Sequence, residues 1–314
     1  MKPRRAFVAL PFAAAALVML AWPSDALAWG PLAHLHFSAQ ALQQAPTFQP
    51  AMRALLQEFG DSFLYGSLAA DIVVGKNMAR YLFHCHNWKV GFNVFRQARP
   101  GEEQAFALGF LSHLAADTVA HNYYVPFKTV ASFHKASTGH AYWELRYAQR
   151  MDRTLSSVAR RVSTRAVRTH DRFLARTLPG ASVLPFGVSR QLFGSLLASA
   201  RTHRFHALSR FALARERRLV LEPDLLAETN ELAVAAIVGV LHEGERSQAA
   251  RADATGGRNI RLATDLRREL RDRTARRSIH PREAHLIAAE TRESFRRAIQ
   301  GKLVMPASLQ RLAA

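Results

Sequence analysis

The stretch Leu111–Tyr124, LSHLAADTVAHNYY, sets the strongest limit on what this chain can become. His113, Asp117 and His121 stand in it at i, i+4 and i+8. On an α-helix rising about 1.5 Å per residue these positions stack on nearly one face, about 6 Å apart along the axis. Two imidazoles and a carboxylate are donors that a borderline cation such as zinc accepts. His140 and Glu144 repeat the one-turn spacing in GHAYWELRYAQRMD. A single such pair is commonly an ordinary surface or core contact, but two of them within about thirty residues favour metal-binding helix faces over core filling.

The rest of the mature chain reads as helical. WGPLAHLHFSAQALQQA opens with a Gly30-Pro31 turn and carries apolar residues at helical spacing through Leu35, Ala39 and Leu42. Residues 50–59 form a second helix, entered at Pro50 and stopped before Gly60. The stretch DSFLYGSLAADIVVGKN, with glycines at 66 and 75, reads as a helical turn between loops, and periodicity does not decide the state of 77–99. Glu102–Tyr124 suits a buried helix, and 139–165 a long one that turns basic toward Arg160 and Arg161. Further helical segments follow at 191–202, 205–219 and 225–241, a loop at 254–259, and charged, solvated helices over 260–299. With no strand-like alternation and no internal repeat, the expected class is all-α.

Charge and leader separate the chain into parts. The formal net charge is +19, yet residues 29–149 contribute only +2 and residues 150–314 contribute +15, where Lys302 is the one basic residue that is not arginine. MKPRR followed by the apolar run AFVALPFAAAALVMLAW and the small-x-small triplet Ala26-Leu27-Ala28 has the form of a signal peptide. The short span and Pro11 argue against an uncleaved anchor. The expectation is an exported protein, extracellular or periplasmic, cut at Ala28–Trp29. Its parts are a signal peptide (1–28), a main helical domain (29–243) and an Arg-rich helical extension (244–314). The single cysteine, Cys85, excludes an intrachain disulfide.

Taken in order, Trp29-Gly30, His34, Gly66 with Asp71, His86, His113-x3-Asp117, His121 and His140-x3-Glu144 resemble the bacterial zinc-dependent phospholipase C family, over about residues 29–150 and less strictly to 243. The resemblance implies a secreted multi-helix bundle enclosing a trinuclear zinc site. Asp71, His86, His113 and Asp117 would hold one zinc. Asp117 would bridge to a second, held by His34 and by the α-amine and carbonyl of Trp29. His121, His140 and Glu144 would hold the third, with Asp71 as candidate general base. His36 beside His34, His84 beside His86, and Asp61 upstream of Asp71 are alternatives within the same pattern.

The implied activity is a zinc-dependent phosphodiesterase cleaving phospholipids to diacylglycerol and a phosphorylated head group. A related zinc-dependent single-strand nuclease is the first alternative; those enzymes tend to close the last motif with His-x3-Asp, where this chain has Glu144. A non-catalytic, zinc-stabilised membrane-binding protein is the second. The arginine-rich half suits anionic lipid head groups, and nucleic acid as a less favoured partner; a solvated face is the plain reading of the same residues. Ser67, Ser112 and Ser132 lack a nucleophile-elbow context, which leaves a serine hydrolase unsupported. Cys85 reads as a small buried residue. Tyr65, Phe83, Trp88 and Trp143 could wall a pocket for an apolar or choline-like group, though helix core is the plainer assignment for each.

Overall fold

The computed structural model describes residues 29–72, 85–135, 142–143, 146–147, 155–165, 167–178, 191 and 221–309. Among them are eleven α-helices and no strand. In chain order these are α1 (Pro31–Gln43), α2 (Pro50–Glu58), α3 (Gly60–Ala69), α4 (Trp88–Gln97), α5 (Glu102–Val119), α6 (Val125–Ala131), α7 (Leu155–Arg165), α8 (Val167–Thr177), α9 (Pro223–Glu243), α10 (Gly257–Ala275) and α11 (Pro281–Ala298). The proposed signal peptide and most of 191–219 lie outside the described residues.

Helix α5 is the axle of the bundle. Every residue from Ala105 to Val119 is buried, so its polar side chains can only face other protein groups or a bound ion. Helix α3 crosses it at backbone contact. A Cβ on Gly66 would lie 2.0 Å from the Phe106 carbonyl oxygen, and one on Gly109 would lie 1.9 Å from that of Phe63. This contact explains why 60–69 is one continuous helix, where its glycine suggests a turn between loops. Gly66 is there for close approach, and burial on α5 outweighs its low helix propensity.

Helix α9 is long and apolar enough to cross a membrane by length and composition. Here it packs into the bundle with Leu225, Thr229, Ala233, Ile237 and Leu241, a stripe at four-residue spacing. It meets α5 and α1. Against α1 the contact is polar: Asn230 Nδ2 donates to Gln40 Oε1 at 2.8 Å, and its Oδ1 lies 3.1 Å from His36 Nε2. Asn87 starts α4 by accepting from the Lys89 amide at 2.9 Å, a side-chain cap that settles a segment whose periodicity is mute.

Helices α10 and α11 form the end of the chain and pack on α6 and on the turn that follows α5. They are amphipathic: α10 fully buries only Asn259, Ala263 and Leu270, and Arg258, Arg261, Arg268 and Arg271 stay exposed, while Arg267 is half-buried and donates to the Lys135 carbonyl at 2.7 Å.

Candidate metal centre

Four elements bring the site together. Helix α1 contributes His34, and the 3-10 turn Ala70–Ile72 after α3 contributes Asp71. His86 precedes α4, and α5 supplies His113 and Asp117. His34, His113 and Asp117 are fully buried, and His86 is 2 % exposed. Asp117 is the hub. Its Oδ1 lies 3.3 Å from His34 Nε2, and its Oδ2 lies 3.2 Å from the Nε2 atoms of both His86 and His113. Asp71 Oδ1 lies 3.4 Å from His86 Nε2 and 3.8 Å from His113 Nε2. The His34 and His113 rings stack at 3.7 Å.

The donor set fits a cation. His113 Nδ1 donates to the Ser67 carbonyl at 2.8 Å, which fixes the tautomer and leaves a lone pair on Nε2. That nitrogen sits 2.9 Å from His86 Nε2 and faces two carboxylates. Both Asp117 oxygens and both His34 ring nitrogens are buried without a hydrogen-bond partner. Lone pairs gathered at one point repel unless a positive charge lies among them, and buried carboxylate oxygens left unsatisfied are costly. One ligand atom from each of His34, Asp71 and His113, and likewise from each of His86, His113 and Asp117, falls within 4.8 Å of the others in its group.

The electrostatics agree. Burial alone would raise the Asp117 carboxyl, but His113, His121 and His34 around it hold it well below the usual carboxylate range. Burial, reinforced by His34, pushes His113 down to about 4 against the opposing pull of Asp117 and Asp71. An ionised Asp117 beside a neutral His113 imidazole is the protonation state in which these two groups ligate metal.

His121 departs from the expected face. The helix is α through Val119 and widens into a π turn over Ala120–Tyr124, so His121 is offset from the α-helical register shared by His113 and Asp117. Single π turns of this kind are frequent at functional sites. His121 remains near enough to help hold the Asp117 charge, and its Nδ1 donates to the Ala254 carbonyl at 2.7 Å.

Trp29 is fully buried. Its indole stacks on Tyr147 at 4.5 Å and meets Phe37 at 4.5 Å and Tyr124 at 6.1 Å. The indole is thus lodged three residues from His34-bearing sequence at Phe37 and three beyond His121 at Tyr124. His36 turns to Asn230 and Gln40, away from its neighbour's cluster. Asp61 faces Arg161 at 3.1 Å. Cys85 donates its thiol to the Ala70 carbonyl at 3.3 Å and touches His86 Nδ1 at 3.2 Å, supporting that ring from behind. His84, His140 and Glu144 lie outside the described residues.

Residues 33–178 match the family model for zinc-dependent phospholipase C. The segment is a zinc-dependent phospholipase C domain. It contains every residue from His34 to His121, and the match supports a zinc-dependent phospholipase C hydrolase. No curated protein and no solved structure matches the chain significantly. Two supports of the site carry no sequence signature: the Ser67 and Ala254 carbonyls orient His113 and His121, and a backbone acceptor looks the same in every residue type.

Proposed function

We propose that the protein is an exported phospholipase C that hydrolyses phospholipids to diacylglycerol and a phosphorylated head group at a trinuclear zinc site. The observation that carries this reading is the convergence of buried His34, His86, His113 and Asp117 with partly exposed Asp71 inside the family-matched segment. Asp71, His86, His113 and Asp117 would hold one ion. Asp117 would reach toward a second with His34 and the Trp29 main chain, and His121 would join His140 and Glu144 at a third. Bound zinc would supply a Lewis acid for the phosphodiester and lower the pKa of a coordinated water to about 7.

The chain's own groups divide the remaining work. The Asp117 carboxylate stays ionised and holds the imidazoles at fixed separations. The Ser67 carbonyl keeps the proton of His113 on Nδ1, so that Nε2 faces inward. Asp71 has 14 % of its side chain exposed while the Asp117 side chain has none, so Asp71 is the carboxylate that an entering substrate or water meets. That exposure supports its role as the general base. Export supplies the free Trp29 amine, and the buried indole supports a fixed position for it.

The arginines exposed on α10 and α11, with Leu286 standing 67 % exposed on α11, support peripheral contact with anionic lipid. The deciding experiment incubates purified mature protein with phosphatidylcholine vesicles, with and without a chelator, and assays diacylglycerol. Single-stranded DNA serves as the competing substrate. Chelator-sensitive diacylglycerol release with intact DNA is expected; DNA cleavage without diacylglycerol would transfer the chain to the nuclease reading.

A further inference from the structure

The loop between α9 and α10 begins more than sixty residues beyond the family-matched segment, yet it reaches His121. Three successive backbone carbonyls of this loop each accept from a different side chain of the catalytic domain. Trp88 Nε1 donates to the Ala252 oxygen at 2.9 Å, Asn122 Nδ2 to that of Asp253 at 2.8 Å, and His121 Nδ1 to that of Ala254 at 2.7 Å. Asn122 is gripped from the other side as well, since Asn259 Nδ2 donates to its Oδ1 at 2.7 Å.

The loop is built to hold that shape. Asp253 accepts from the Thr255 amide at 3.0 Å and from its hydroxyl at 2.7 Å, an Asx turn that fixes the backbone through residues 253–255. Gly256 follows with φ +57° and lies against the His121 main chain: a Cβ there would come 2.3 Å from the His121 carbonyl oxygen. No other residue type fits both the left-handed backbone and the contact. Helix α10 then starts at Gly257 and carries Asn259 in its first turn.

We infer that residues 252–259 are the positioning element for His121, fixing its tautomer and ring orientation so that Nε2 is presented to the metal. This rests on the reading of His121 as a zinc ligand. A histidine ligand characteristically donates its other ring nitrogen to a carbonyl or carboxylate, and loss of that partner typically weakens metal binding about 10–100-fold. Here the partner comes from the arginine-rich C-terminal part, which makes that part a component of the site. Gly256, Asn259 and the Ala254 carbonyl are positioning groups and do not touch substrate.

The test compares zinc content and zinc affinity, by chelator competition, in the full mature protein and in His121→Ala, Gly256→Ala and Asn259→Ala. Circular dichroism and thermal midpoints are recorded on the same samples. Gly256→Ala and Asn259→Ala are expected to weaken the zinc that His121→Ala loses by about 10–100-fold, leaving the remaining zinc bound. Asn259→Ala, which adds no atoms, decides the matter if Gly256→Ala fails to fold. A lowered thermal midpoint with unchanged zinc affinity in the loop variants would reduce the loop to scaffold and overturn the inference. If His121→Ala itself retains all its zinc at full affinity, the ligand reading of His121 falls instead.

Discussion

Helices α5 and α10 are eighteen and nineteen residues long, and they stand in opposite relation to water. Helix α5 buries nearly everything it carries, including His113 and Asp117; α10 buries Asn259, Ala263 and Leu270 and leaves a row of arginines and acids outside. A charge in the first setting must be compensated by something specific, because burying an ion uncompensated costs several kcal/mol. A charge in the second setting costs almost nothing to keep and contributes almost nothing when paired. One carboxylate on α5 therefore says more about function than the whole basic excess of the C-terminal half.

The sharpest way to break this contrast is to remove Asp117. Asp117→Ala is expected to lose more zinc affinity than the roughly 10–100-fold that a supporting residue costs, and to abolish diacylglycerol release. Metal analysis beside the activity assay checks both, and full zinc retention would undo the hub assignment. Next in size is the helix contact that carries α5. Gly109→Ala forces a methyl group into the Phe63 carbonyl and should destabilise by about 3 kcal/mol in urea unfolding. A wild-type midpoint would mean that the helices part easily there.

The third effect is pH-dependent and lies away from the metal. His170 is fully buried, stacks on Phe106 at 4.6 Å and meets Ser62 Oγ at 3.0 Å. Burial pushes it down to about 4, with Glu103 pulling the other way. An unfolded histidine titrates near 6.5, so the unfolded chain takes up the proton first. The contribution is therefore whole above about pH 6.5 and drains away as pH falls toward 4, by about 3 kcal/mol at most. Comparing the acid limb of stability in wild type and His170→Gln reads this directly: the variant should be flatter, and parallel limbs would exonerate His170. The smallest effect belongs to the outside of α10. Glu269→Gln breaks its exposed pair with Arg273 and should cost under about 1 kcal/mol, vanishing in about 1 M salt.

What could be read in the sequence follows the same contrast. His113 and Asp117 are legible because one local spacing links them and because imidazole and carboxylate have few reasons to recur together, whereas the same spacing misplaces His121, which the π turn shifts off their face. The pair His34 and His36 is legible only as a pair; two residues apart on a helix they point to different neighbours, and the Asn230 side that claims His36 comes from far along the chain. Helix α3 is obscured because Gly66 looks like a break until the Phe106 main chain is placed against it. The π turn at Ala120–Tyr124 has no composition of its own. Least legible of all are the carbonyls of Ser67, Ala252, Asp253 and Ala254, whose geometry exists only in the folded chain.

The glycine contact between α3 and α5 has a consequence for how this scaffold can drift. Phe63 and Phe106 meet the opposing helix through main-chain atoms, which substitution does not alter. The separation between the Ser67 oxygen and the imidazole it steers is consequently indifferent to most exchanges of side chains around it. Two positions with no side chain at all act as the gauge blocks of the catalytic geometry, and the surrounding residues are at liberty to change.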